Sequence, residues 1–173
     1  VRSPAFHRGA SLVEVTLVAA LMLVLAMAFG VPGYRSYEAS RASHDAATVL
    51  SSDLALLVRA AQNASDGTGA CLIIESAAPL SYRGYLGRPK KLDPNSRLGT
   101  VLFDRTFARV TLANSPIGSA TTLLFASNGS AQYESAGTIA PQHATIDFQL
   151  RASAGRAADV RLDLFTGAVD GGG

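Results

Sequence analysis

The stretch RGASLVEVTLVAALMLVLAMAF, residues 8–29, has the make-up of a membrane helix at every position but one, Glu14. Residues 15–34 carry no formal charge, and residues 17–29 are apolar throughout, which is about the length that crosses a bilayer core as a helix. Arg2, His7 and Arg8 lie on the amino-terminal side. By the positive-inside bias they hold the amino terminus in the cytoplasm and export the remainder. Ala26, Met27 and Ala28 form the A-x-A pattern of a cleaved secretory signal. Against cleavage there stands the carboxylate, because a charge at the membrane centre costs about 2.5–3.5 kcal/mol on insertion scales. A plain anchor leaves the acid idle, so Glu14 calls for a partner.

Cleavage after Gly9 would supply one. It would place a new α-amine on Ala10, within about one helical turn of Glu14 and at the edge of the membrane. In a helical stack of chains, that amine also faces the acid of a neighbour. The low dielectric strengthens the pairing, and it forms at only one axial offset. Glu14 thereby becomes a device for setting registry.

Gly9, Ala10, Ser11, Leu12, Val13 and Glu14, placed after a short leader with Arg8 and before a long apolar helix, resemble the class III signal of type IV pilins and pseudopilins. The resemblance is residue by residue at Gly9 and Glu14. Ser11 stands for the usual threonine, Ala10 for the usual phenylalanine or methionine, and Pro32 lies about one place later than the family's helix-bending proline. The resemblance implies a leader over residues 1–9, removed by a prepilin peptidase of the bacterial inner membrane that also methylates the Ala10 amine. It further implies a transmembrane and assembly helix over 10–33, inner-membrane lipid around it before assembly, and a periplasmic head. Pilin or pseudopilin subunits would be the partners afterwards.

Downstream, Ala46, Ala47, Leu50, Leu54, Leu57, Val58 and Ala61 recur at three and four residues, with Asp45, Asp53 and Arg59 read on other faces. This predicts an amphipathic helix over 34–66, weakened at Pro32 and Gly33 and ended by the Asn63, Asp66, Gly67 and Gly69 cluster. Residues 67–173 change to short β patterns. Strands are expected at 70–75, 80–86, 99–104, 106–113, 121–127, 130–134, 144–152 and 158–166. Asn128 and Gly129 mark a hairpin. Alternation over 145–150 and 160–165 gives each of those strands one buried face. The expected fold class is therefore α+β, a long helix, first transmembrane and then amphipathic, laid on an antiparallel sheet.

The late strands, with Leu123, Leu124 and Phe125, the Asn128 turn, Gly155, and Val160 through to Val169, resemble the carboxy-terminal pattern of the GspH/FimT group of minor pilins and pseudopilins. That resemblance implies a minor subunit of a type IV pilus or of a type II secretion pseudopilus.

Composition narrows the alternatives. The 173 residues have a formal charge of +2. Removing Arg2 and Arg8 with the leader leaves 13 basic against 13 acidic residues, which takes away a bulk electrostatic case for nucleic acid. Cys71 is the single cysteine and reads as a small buried apolar residue; no cofactor or metal site is expected. His44 and His143 lack catalytic or ligand spacing, and Asp104 and Asp147 fit the polar faces of strands, so no enzyme is expected. The rival reading is nucleic-acid binding by Tyr82, Arg83, Tyr85, Arg88, Lys90 and Lys91, which interleave two aromatics with four cations. Relatives that take up DNA use a basic glycine-arginine motif near the carboxy terminus; Gly155 and Arg156 resemble its first half, but Ala157 and Ala158 depart from it. The loops 82–98 and 113–120 are the expected contacts for partner subunits or cargo.

Overall fold

The computed structural model describes residues 11–64, 69–87, 99–113, 121–135, 138–139, 145–153 and 155–171. Ser11 opens the helix with an extended backbone, and its hydroxyl accepts from the Val13 amide at 3.2 Å, as Ser does at an N-cap. Helix α1 runs Leu12–Leu25, a π-helical turn covers Ala26–Gly30, and α2 continues Val31–Asn63. The three make one rod of 52 residues, roughly 78 Å long at 1.5 Å per residue. The weakening expected at Pro32 takes the form of that π turn. Proline lacks the N–H that would bond four residues back, and its ring crowds that carbonyl, so the preceding turn widens and the helix carries on unbroken.

Ten strands follow: β1 Ala70–Ala77, β2 Leu80–Leu86, β3 Thr100–Phe107, β4 Val110–Leu112, β5 Thr121–Phe125, β6 Ala131–Ser135, β7 Thr138–Ile139, β8 Thr145–Ala152, β9 Ala158–Asp163 and β10 Val169–Gly171. They form two antiparallel sheets, in the orders β3-β2-β1-β5-β6-β7 and β10-β9-β8-β4. Helix α2 packs on both, and the fold is α+β as the patterning predicts. In β8, Ile146, Phe148, Leu150 and Ala152 are buried while Thr145, Asp147 and Arg151 face out. Asp147 there pairs with Arg161 of β9 at 2.7 Å, which holds its carboxyl below the usual carboxylate range.

Three turns fall differently from expectation. The break predicted at residue 105 falls at residues 108–109, because β3 pairs with β2 without interruption from Arg105, opposite Tyr82, to Phe107, opposite Leu80. The hairpin at Asn128 and Gly129 closes through five residues, since the Asn128 side chain accepts from the Ser130 amide and holds that residue out of the strand. The segment 164–168 is a turn before a separate β10, because the Asp163 carboxylate accepts from the Phe165 and Thr166 amides.

The core joins Leu50, Leu54 and Leu57 of α2 to Leu72, Leu123 and Phe125 of one sheet and Phe148, Leu150 and Leu162 of the other. Contact with the head starts where the β8–β9 turn meets the helix. The Ser43 hydroxyl accepts from the Ala152 amide at 2.9 Å and donates to the Ala39 carbonyl. Ser40 accepts from the Arg156 amide at 3.0 Å. Gly155 lies against the helix backbone so closely that a Cβ there would fall 2.8 Å from the Ala39 carbonyl oxygen. A glycine is needed at that approach for steric reasons, independent of any binding motif.

Gly155→Ala is expected to lower stability by about 1–3 kcal/mol, the range for forcing extra volume into a packed contact. The exposed neighbour change Ala157→Ser should stay within about 0.5 kcal/mol. Denaturant midpoints of the two variants check this.

Candidate functional site

Two regions carry the chemistry, the bare stem and the patch on β2 and β3. No residue of α1 is buried, and Leu17, Leu21, Met22, Leu25, Met27 and Phe29 are all exposed. An apolar surface on every side of a helix is the mark of a segment that meets lipid or other helices rather than its own head. The stem is long and apolar enough, by length and composition, to cross a membrane.

Glu14 is the third helical residue after the Ser11 cap. Its amide bonds to the Ser11 carbonyl at 2.9 Å, and the S-x-x-E spacing is that of a capping box. Its carboxylate is exposed at the helix's positive end, a favourable site for an acid, and has no ion pair among the described residues. Gly9 and Ala10 lie outside the described residues.

On β2 the alternation of the strand separates the aromatic and basic residues that appear adjacent in the sequence. Tyr82 points into the core, 1 % exposed, with Phe103 edge-on at 6.1 Å and Phe107 stacked at 6.0 Å. It offers no face to a base, a correction to its candidacy as a contact. Cross-strand Gly84 leaves the space that the Phe103 ring fills. Arg83 points the other way and is met by Asp104 at 2.9 Å and Glu75 at 3.0 Å. Two carboxylates occupy the guanidinium that the nucleic-acid reading needs for phosphate. Tyr85 is half-buried beside Cys71; Arg88, Lys90 and Lys91 lie outside the described residues, as do His143 and most of both candidate loops.

Asp53 is the residue that sequence reasoning misplaced. It belongs to the buried stripe of α2, 5 % exposed, three residues after Leu50. Its carboxylate accepts from the Tyr82 hydroxyl at 3.1 Å and from Arg105 Nε at 3.1 Å, with the second Arg105 nitrogen at 3.4 Å. Arg105 also lies over the Phe103 ring at 5.8 Å. The guanidinium keeps one side in water, since its side chain is 45 % exposed, so the acid is neutralised without burying two full charges. Burial and the Asp53 charge together push the Tyr82 hydroxyl well above its ordinary value. The spacing signals the burial of Asp53, because position 53 lies between Leu50 and Leu54 on the same face, but not its partners.

Cys71 is fully buried, and burial pushes its thiol up from near 9 to about 12, which leaves it an inert structural residue. His44 is exposed on α2. No group of three or more metal-binding side chains occurs among the described residues.

Asp53→Ala should destabilise the head by about 1–3 kcal/mol, the penalty for a buried donor left unsatisfied. Tyr82→Phe should then recover part of that loss, because it removes the orphaned hydroxyl. A double-mutant cycle in urea checks the coupling. Alkaline stability provides a second test. The folded Cys71 thiol keeps its proton to about 12 while the unfolded one releases it near 9. The contribution is thus whole below pH 9 and is lost as pH rises towards 12. Tyr82 acts in the same direction from its ordinary value of 10 upwards. Cys71→Ala is expected to flatten the loss of thermal stability that begins near pH 9, measured by melting across pH.

Comparison with known protein families, curated proteins and solved structures finds no match to this chain.

Proposed function

We propose that the chain is a structural subunit of the pilin and pseudopilin type, held in a membrane by its stem before assembly and packed through the same stem into a filament afterwards. The observation that carries this reading is a helix bare of head contacts, apolar on all sides and bearing one carboxylate in its first turn. Lipid satisfies the apolar surface in the first state. Neighbouring stems satisfy it in the second, and the Ala10 amine of a neighbour brings a countercharge to Glu14. A simple anchor needs no acid there, since insertion would be easier without it.

Continuity of the stem with α2 supports the same role, because an unbroken rod passes a fixed orientation from the packed stems to the head. The π turn at Ala26–Gly30 gives one place where that rod can flex or unwind as its surroundings change. Prepilin peptidase acting after Gly9, methylation of the Ala10 amine, and a minor subunit of the GspH/FimT kind are the finer parts of the proposal. They rest on the leader motif and the late strand pattern.

Glu14→Ala is the test. The variant should remain in the membrane fraction at the parent level yet drop at least tenfold in sheared filaments. Equal incorporation would sink the registry role. Mass spectrometry of the mature protein should give Ala10 as its first residue, with one added methyl group. A mature chain beginning at Phe29 would mean a cleaved secretory signal instead.

A further inference from the structure

Four arginines of the head's lower rim meet no carboxylate. Arg35 of α2, Arg109 in the β3–β4 turn, Arg151 of β8 and Arg156 after the β8–β9 turn form no ion pair among the described residues. Arg41, Arg83, Arg105 and Arg161 are each answered by an acid, and Arg59, further along α2, is the other arginine without an ion pair among the described residues. Three of the four line adjoining grooves. Arg35 and Arg109 line one groove of about 480 Å³ beside Glu38 and Ser153, and Arg109 and Arg151 line a second of about 530 Å³ that shares Ser153. Arg156 follows Gly155, which lies on the helix backbone at Ala39. Glu38 is the single acid in either groove.

The height of this rim along the rod identifies what faces it. Residues 12–33 span about 33 Å at ~1.5 Å per residue, against a hydrocarbon core about 30 Å thick. Arg35 therefore stands just outside the hydrocarbon, and Ala42, at the far side of the groove, only about 10 Å further. Tyr34 and Tyr37 are exposed at the same height, where amphipathic rings settle in a bilayer. A fork of guanidinium groups at headgroup depth matches phosphate geometry.

We infer that this arginine rim is a docking surface for the anionic phospholipid headgroups of the leaflet from which the stem emerges, seating the head on the membrane before assembly. The inference needs the stem to stand in a bilayer and does not need filament formation. Each arginine near an anionic surface strengthens docking by about fivefold. Leaving the membrane would release those phosphates, so the rim opposes extraction until neighbouring stems replace the lipid.

The full chain in nanodiscs of phosphatidylcholine, with or without an equal part of phosphatidylglycerol, tests this by hydrogen exchange. The backbone at 108–112 and 151–156 should exchange several-fold more slowly only in the discs with phosphatidylglycerol. High salt should reverse the effect, as should Arg109→Gln combined with Arg151→Gln. Arg161→Gln, which lies outside both grooves, should retain it. Equal exchange in both lipids overturns the docking surface while leaving the filament reading intact. Failure of the chain to enter discs overturns both. Protection of the same amides by a DNA duplex, and not by phosphatidylglycerol, would assign the rim to nucleic acid and overturn the lipid assignment.

Discussion

An apolar cylinder that its own head cannot cover is the constraint on which the structure depends. Residues from Leu12 to Tyr34 present hydrocarbon on every side, and at about 25 cal/mol per Å² such a surface is strongly driven out of water. The same helix then turns amphipathic, and its buried positions begin only at Ser43. One uninterrupted backbone thus serves two surroundings. The change is made by side chains alone, with a π turn and Pro32 marking where it happens.

Fastening the head to that rod takes more than an apolar stripe. Alanines and leucines repeating at three and four residues would bury similar area if the helix slid by one turn. Polar contacts do not tolerate the slide. Ser40 and Ser43 accept amides of the β8–β9 region at the lower end, and Asp53 binds Tyr82 and Arg105 higher up. Shifted by a turn, Asp53 would face leucine, and the Tyr82 hydroxyl would lose its acceptor, each a penalty of roughly 1–3 kcal/mol. Close approach at Gly155 adds a steric stop. These contacts fix the orientation of the head on the rod.

Charge is distributed accordingly. On the sheet faces Arg83 is matched across neighbouring strands by Asp104 and Arg161 by Asp147, which keeps those places polar but locally neutral. Around the junction of rod and head Arg35, Arg109, Arg151 and Arg156 have no ion pair among the described residues. The net charge of the chain conceals this, since a near-zero total is compatible with an uncompensated rim at one end.

The stem, its single acid, the amphipathic stripe and the alternating strands β8 and β9 were legible from the residues, because periodicities of 3.6 and 2 are local properties and hydropathy needs no partner. The sequence by itself determined an α+β chain with a helix long and apolar enough for a membrane. The packed structure decided the rest. Tyr82 and Arg83 are neighbours in sequence, yet one enters the core and the other joins two carboxylates, because a strand sends successive side chains to opposite faces. Asp53 read as a solvent-facing acid, since its partners lie 29 and 52 residues away and only strand pairing brings them to its face of the helix. Arg35, Arg109 and Arg151 likewise come from a helix, a turn and a strand with no pattern linking them. Such long-range meetings depend on how two sheets close on one rod, which is information that no local window contains.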